Sequence, residues 1–460
     1  MPHPFETTGV RARVAVLLSV AAAVLLAPAA APAATTYAPL DAPGPTLAVP
    51  RADLDRSLVC SPGVAGATED PVLLVPGTTL TPEIDFGWNY ARSLPAMGRA
   101  TCTVELPGNA MGDIQTAGEY VVDAIRTMHR RSGRKVDVVG HSQGGMIGRW
   151  ALRFWPDVRP MVDDLVGLAP SNHGTTLAPA LCALQCAPAF WQQRDTAAFV
   201  AALNSRAETV AGVDYTSVFT ALDEVVVPNQ DATTGSSALR TGEGRRSNVL
   251  VQDVCPLHVA DHLTLGTSDP VGHALVVDAI THPGPADPGR IDRAAVCART
   301  LAPGVDAATF PAEFARLAAV VAQQVLQAPQ VTAEPPLRCY VTASCPAAPA
   351  GGTAAPASGT PAARRASRVT LRVRRSGARA VRVTVRLADR AAGRVVLRVA
   401  RRGARPITRT VAVRRSRTSV AVVSLPRATA SRALTVTARF GGDATHRPRT
   451  VRARVAAARG

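Results

Sequence analysis

The pentapeptide Gly140-His141-Ser142-Gln143-Gly144 constrains this chain more than any other feature in it. It follows the β-branched run Val136 to Val139 and leads straight into a helical pattern, where Met146, Ile147, Trp150, Ala151 and Phe154 share one face. A serine on a sharp strand-to-helix turn is pushed out above its sheet, and glycines two residues to either side let the turn close where a Cβ would collide. The helix start behind it points N–H groups at any negative charge that develops there. Such a turn needs a sheet beneath it. The runs Val72 to Val75, Leu165 to Leu168 and Val249 to Gln252 read as further buried strands. Between them, Asp113 to His129 carries Val121, Val122, Ile125 and Met128 on one helical face, and Phe310 to Leu326 is a later amphipathic helix introduced by Pro311. Strands interleaved with helices predict an α/β fold with a mainly parallel sheet covered on both faces.

An exposed serine becomes a nucleophile only with a base and an acid to orient the base, and on this type of turn they follow in the order Ser, Asp or Glu, His. Of nine histidines, His446 lies in the C-terminal tail, and those before it that follow the serine with room for an acid between are His258, His262, His273 and His282. His262 lies in a loop about ten residues beyond the strand at Val249, whereas His273 belongs to the helical run Val271 to Ile280 and His258 sits in an apolar stretch. Reach to the serine therefore favours His262 as base. Asp223 ends the run Val218 to Leu222, where a strand tip meets a loop, with Glu224 as the structural alternative and Asp214 and Asp231 less well placed. The turn after the early strand, Pro76-Gly77-Thr78, is where a second donor to a developing oxyanion is expected.

The two ends of the chain read differently. Arg11 and Arg13 precede the apolar run Val14 to Leu26 and a small-residue stretch ending near Ala34, the order of a secretory signal peptide over residues 1–34. Export places the eight cysteines where pairing is the default. They show no paired C-x-x-C spacing, so no metal site and no cofactor is expected. The hydrolytic unit is expected over 35–346, an Ala/Pro/Gly/Ser linker over 347–363, and an Arg-rich β-sandwich over 364–460, where seven or so short alternating runs are separated by Gly, Pro and Arg and where Thr435 to Arg454 resembles the closing hairpin of bacterial immunoglobulin-like repeats. Residues 361–460 hold 27 Arg against Asp389 and Asp443, a net +25 that leaves the rest of the chain at −8. This basic module reads as a solvated spacer or as an adhesive for anionic cell-envelope or lipid surfaces. Nucleic acid is disfavoured, because Phe440 is its one aromatic residue and base stacking needs aromatic platforms.

Six stretches occur together in one order: Leu73-Leu-Val-Pro-Gly-Thr78, Ser142-Gln-Gly-Gly145, Leu168-Ala-Pro170 with Gly174-Thr175, Trp191-Gln-Gln193, Asp223-Glu224 and Asp261-His262. In this the chain resembles the family of Candida antarctica lipase B from about Val49 to Cys345. The resemblance implies an α/β-hydrolase fold and a secreted lipase or carboxylesterase acting on lipid or other ester substrates. It implies Ser142, Asp223 and His262 as the triad, with an oxyanion hole from the Thr78 backbone and hydroxyl and the Gln143 N–H. It also implies the bridges Cys60–Cys102, Cys255–Cys297 and Cys339–Cys345, leaving Cys182 and Cys186 to pair by elimination. The family carries a tryptophan where this chain has His141 and an aspartate where it has Ser171, so these two, with Gln193, are the expected pocket positions that differ or matter most. Thioester or polyester hydrolysis, and acyl transfer, are the alternatives on the same fold; a retired, non-catalytic adhesin is disfavoured by an intact candidate triad. The reaction expected is acyl transfer through an acyl-enzyme.

Overall fold

In the computed structural model the described residues are 35–345, 369–375, 380–387, 393–401, 404–413, 418–424, 433–440 and 449–456. The expected signal peptide and linker lie outside them. The chain divides into two compact units, Met1–Ala350 and Gly351–Gly460.

The first unit is built on a seven-stranded sheet: β1 (Leu58–Cys60), β2 (Val72–Val75), β3 (Thr101–Val104), β4 (Val136–His141), β5 (Val162–Leu168), β6 (Asp214–Phe219) and β7 (Arg245–Leu250). Its order is β1-β3-β2-β4-β5-β6-β7, and every pairing is parallel except that of β1 with β3. This is the α/β-hydrolase arrangement, with β4 central and the strand order reversing beside it, so that the crevice at the carboxyl ends of β2, β4 and β5 is the natural place for a site. Strands β2 and β4 are buried along their whole length, as continuous apolar runs in a sheet covered on both faces must be.

The two faces are covered by separate helical layers. On one side Ile114–Ser132, capped by the Asp113 side chain and closed by Gly133 in the left-handed region, packs with Gln143–Phe154. Trp150 stacks on Phe199 there, and Gly118 leaves the room that ring needs. On the other side Pro270–Thr281 lies against Val139, Val166 and Val218. The expected helix at the C-terminal end of this unit runs from Phe310 to Gln327 and packs Leu317 on Leu80, Ile84 and Trp88. One expectation shifts in detail: the run from Val249 is strand only as far as Leu250, and Val251–Val254 turns as a short helix. Four disulfides close the unit, Cys60–Cys102 across β1 and β3, Cys255–Cys297, Cys339–Cys345 and Cys182–Cys186. Among the described residues no helix is long and apolar enough to cross a membrane.

The second unit contains β8 (Val369–Arg375), β9 (Ala380–Leu387), β10 (Gly393–Arg401), β11 (Ala404–Val413), β12 (Thr418–Ser424), β13 (Leu434–Phe440) and β14 (Arg449–Val455). They form two antiparallel sheets, β11-β10-β13-β14 and β12-β9-β8. Val381, Val383 and Val385 of one sheet share a core with Leu397, Val436 and Phe440 of the other, while the alternate residues Arg382, Arg386, Arg398 and Arg439 are exposed.

The turn after β4 depends on missing side chains. A Cβ on Gly144 would stand 2.0 Å from the Val75 carbonyl oxygen, and one on Gly140 would stand 2.2 Å from the Gly144 carbonyl carbon. Both obstacles are backbone and cannot rotate away. Gly140→Ala and Gly144→Ala are each expected to destabilise the fold by about 3 kcal/mol or more, the upper end of overpacking costs, read as a fall in urea midpoint; a midpoint equal to wild type would show that the turn is not closed as described.

Candidate active site

Ser142 sits on the turn between β4 and the following helix with φ 53° and ψ −121°, a combination a non-glycine residue holds only when its surroundings impose it. Its amide donates to the Leu168 carbonyl at 2.7 Å, and the close approach of Gly145 to Gly167 and Pro170 sets the helix start hard against β5. The side chain opens into a mostly apolar cavity of about 180 Å³, whose walls include Leu80, Phe190, Val225, Leu263, Val321 and Val325.

His262 lines the same cavity. It is the first residue of the helix His262–Thr267, whose start is fixed by a reciprocal cap between Asp261 and Thr264. Its ring Nδ1 donates to both carboxylate oxygens of Asp223, at 3.0 and 3.1 Å, which leaves Nε2 as the nitrogen that accepts. Asp223, on the turn beyond β6, also accepts from the N–H groups of Val225 (3.0 Å) and Val226 (2.7 Å) and from the Asn229 amide. Burial works to raise the Asp223 pKa, but the adjacent His262 and the two N–H donors outweigh it and hold the carboxyl below its ordinary range. Burial likewise opposes protonation of His262, yet Asp223, with Glu224 and Asp85 adding to it, holds the imidazole above its ordinary value. Glu224, the alternative acid, takes a different part: it accepts the His262 backbone N–H at 3.1 Å. Asp214 is engaged by Arg245 and Asp231 caps its own turn.

The other histidines are placed elsewhere. His273 lies on the helix Pro270–Thr281, stacked on Tyr90 and bonded to Ser93 Oγ at 3.0 Å, and burial with a contribution from Arg299 pushes its pKa down to about 4. His258 pairs with Asp269, and His282 stands near the surface beside Asp278.

On the far side of Ser142, Thr78 also faces the cavity. Its Oγ1 accepts from Gln143 Nε2 and from Gln193 Nε2, each at 2.9 Å. The two amides are oriented by backbone carbonyls that can only accept, Ala110 O for Gln143 and Ala189 O for Gln193. With both lone pairs of Thr78 Oγ1 engaged, its own proton is left to be donated. Ser171 Oγ completes the chain by donating to Gln193 Oε1 at 2.9 Å. Gln193 and Ser171 line the cavity and also bear on Thr78 through this chain, a second role that the sequence order of the motifs does not disclose. His141 lines the cavity as well, with both ring nitrogens turned to partners inside the fold. It is only 1% exposed, and those partners are Asp85 and the His262 carbonyl. Asp85, the last residue of the short helix Pro82–Asp85, is the site-associated residue that sequence reasoning missed, and nothing in the local pattern sets it apart from Glu83.

The segment Leu177 to Leu203 supplies Leu177, Ala178, Phe190 and Gln193 to the cavity wall. Asp70, Asp137 and Asp163 cluster at the opposite, amino-terminal edge of the sheet, where Arg134, Lys135 and Arg99 face them.

The family profile described as Lipase (class 2) matches residues 120–252. Lipase B of Pseudozyma antarctica is 34% identical over 303 residues, covering 64% of this chain and 86% of the relative. Among solved structures, lipase B of Aspergillus fumigatus matches with a TM-score of 0.61 at 29% identity, covering 66% of this chain and 74% of that one.

Because His273 stays neutral in the fold down to about pH 4 while an exposed histidine protonates near 6.5, the unfolded chain takes up a proton first as pH falls. Stability present above pH 6.5 is therefore lost progressively toward pH 4, by about 3 kcal/mol. His273→Phe is expected to flatten this part of the pH dependence of the urea midpoint; an unchanged slope would remove His273 as its source.

Proposed function

Since this chain belongs to the lipase B family and is a carboxylic ester hydrolase of the α/β-hydrolase fold, we propose that it hydrolyses lipid esters, triacylglycerols among them, through Ser142, His262 and Asp223. The observation that carries this reading is the meeting of Ser142 and the Asp223-paired His262 on one apolar cavity.

In the proposed cycle Ser142 Oγ attacks the ester carbonyl carbon while its proton passes to His262 Nε2. Asp223 holds the tautomer in which Nε2 is the acceptor and stabilises the imidazolium that forms. The carbonyl oxygen becomes an oxyanion, to which the Thr78 hydroxyl and backbone and the Gln143 N–H donate. As the carbonyl re-forms, the C–O bond to the alcohol breaks and His262 gives that oxygen its proton, leaving the acyl group on Ser142. Water, deprotonated by His262, then attacks the acyl-enzyme and releases the acid. The apolar walls favour the hydrocarbon part of the ester by burying it.

Residues 1–34 are read as a cleaved signal peptide and the protein as secreted, a reading supported by four disulfides in the catalytic unit. The β unit is read as a separate immunoglobulin-like module whose exposed arginines suit anionic envelope or lipid surfaces. For that module the expected outcome is co-sedimentation of the full chain with phosphatidylglycerol vesicles at low salt and release at high salt; equal binding to uncharged vesicles would remove charge as the cause.

Ser142→Ala is expected to abolish turnover of nitrophenyl esters and triacylglycerols alike, by at least about 10⁴-fold, and Thr78→Val to lower kcat by about 10²-fold with little change in KM. A Ser142→Ala enzyme with wild-type turnover would end the assignment, and activity confined to short soluble esters would reduce lipase to esterase. Catalysis needs His262 unprotonated at the start, so kcat/KM is expected to rise with pH through a midpoint above 6.5, the ordinary histidine value. A midpoint below 6.5 would show that Asp223 does not govern the base.

A further inference from the structure

Directly beneath the cavity a second aspartate–histidine pair connects the two sides of the site. Asp85 is fully buried and His141 is 1% exposed. His141 Nδ1 lies 2.9 Å from Asp85 Oδ1, and His141 Nε2 lies 3.2 Å from the His262 carbonyl oxygen. The other Asp85 oxygen accepts the Gly77 N–H at 2.9 Å, and Gly77 precedes Thr78. The ring is seated by a missing side chain on the opposite helix, since a Cβ on Gly266 would stand 2.2 Å from His141 Cδ2. It lies tilted against the His262 ring, with centroids 5.2 Å apart.

These contacts form one continuous path from the Gly77–Thr78 turn, through Asp85 and His141, to the backbone of His262. They also complete a three-point hold on that residue: Glu224 takes its N–H, Asp223 its ring and His141 its carbonyl. The turn after β2 and the loop after β7 are far apart in the chain, yet attack on a carbonyl requires their donors and base to be in register to a fraction of an ångström across Ser142. One buried imidazole, in contact with Asp85 through Nδ1 and with the His262 carbonyl through Nε2, supplies a rigid spacer between them. The Asp85 carboxylate in turn cannot stay dry and unpaired, so loss of the imidazole would force it to rearrange and release Gly77.

We propose that Asp85 and His141 are positioning residues for the ester hydrolysis, an inner dyad that fixes the oxyanion turn relative to the His262 main chain. This rests on the reading of Ser142 and His262 as nucleophile and base. Neither dyad residue exchanges a proton with substrate; each acts by keeping Thr78 and His262 in place.

The test uses the full chain with Asp85→Asn, His141→Asn, His141→Gln and the double variant Asp85→Asn/His141→Asn. Active sites are counted by stoichiometric labelling with a fluorescent alkylphosphonate, so that kcat is expressed per reactive serine and misfolded protein does not enter. The expected result is a fall in kcat per labelled site of about 10- to 100-fold with KM for nitrophenyl butyrate within about twofold. The double variant should be no slower than the slower single variant, because both changes break the same path. His141→Gln keeps a donor able to reach the His262 carbonyl and is expected to recover part of the loss seen in His141→Asn. If kcat per labelled site stays within about twofold of wild type in every variant, whatever happens to yield or melting temperature, the pair is structural and the proposal is overturned. Multiplying, independent losses in the double variant would overturn it as well. Failure of the underlying reading looks different: Ser142→Ala would then turn over ester.

Discussion

The structure depends on a backbone turn that is closed by what it lacks. Ser142 can hold its strained conformation because Gly144 lies against the Val75 carbonyl, Gly140 against Gly144, and Gly145 against β5. Three strands are thereby brought within backbone contact at their carboxyl ends. The serine cannot relax into the sheet or the helix without separating them, so the strain is borne by the packing of the buried strands β2, β4 and β5.

Everything else in the site is arranged relative to that fixed point. On one side Gln143 and Gln193, the latter held by Ser171, turn the hydroxyl of Thr78 into a donor by occupying its lone pairs. On the other, Asp223 and Glu224 hold one histidine by ring and backbone. Burial opposes charge on both members of the Asp223–His262 pair, and their mutual attraction with added N–H donors outweighs it. An apolar cavity keeps these interactions out of water, where they would be weak.

The two units solve different problems with the same alternation of side chains. In the catalytic unit the central strands β2, β4 and β5 are buried and mainly apolar, with Asp137, Asp163 and Asp164 near their amino ends. In the β unit the described side chains of β9 and β10 alternate between buried Val or Leu and an outward face that carries Arg382, Arg386 and Arg398, which places positive charge in solvent without disturbing the core.

The strand-turn-helix around Ser142, the apolar runs of β2, β4 and β5 and the helices Ile114–Ser132 and Phe310–Gln327 were legible in the sequence, because periodicity and glycine spacing are local and state their own consequence. So was the choice of His262 and Asp223 as residues that meet, since the order of the chain and the loops after β6 and β7 leave few candidates; the end of β7, two residues earlier than its apolar run, was not. What only the tertiary structure decided is which side chains act through others. His141, Ser171 and Gln193 read as pocket and line it, but that His141 also joins Asp85 to the His262 carbonyl and that Gln193 and Ser171 also bear on Thr78 is not legible, Glu224 reads as a spare acid and holds a backbone, and Asp85 does not stand out at all. The reason is geometric: a hydrogen bond is set by distance and direction between groups tens to hundreds of residues apart, and nothing local in the sequence records those until the sheet brings the strand ends together.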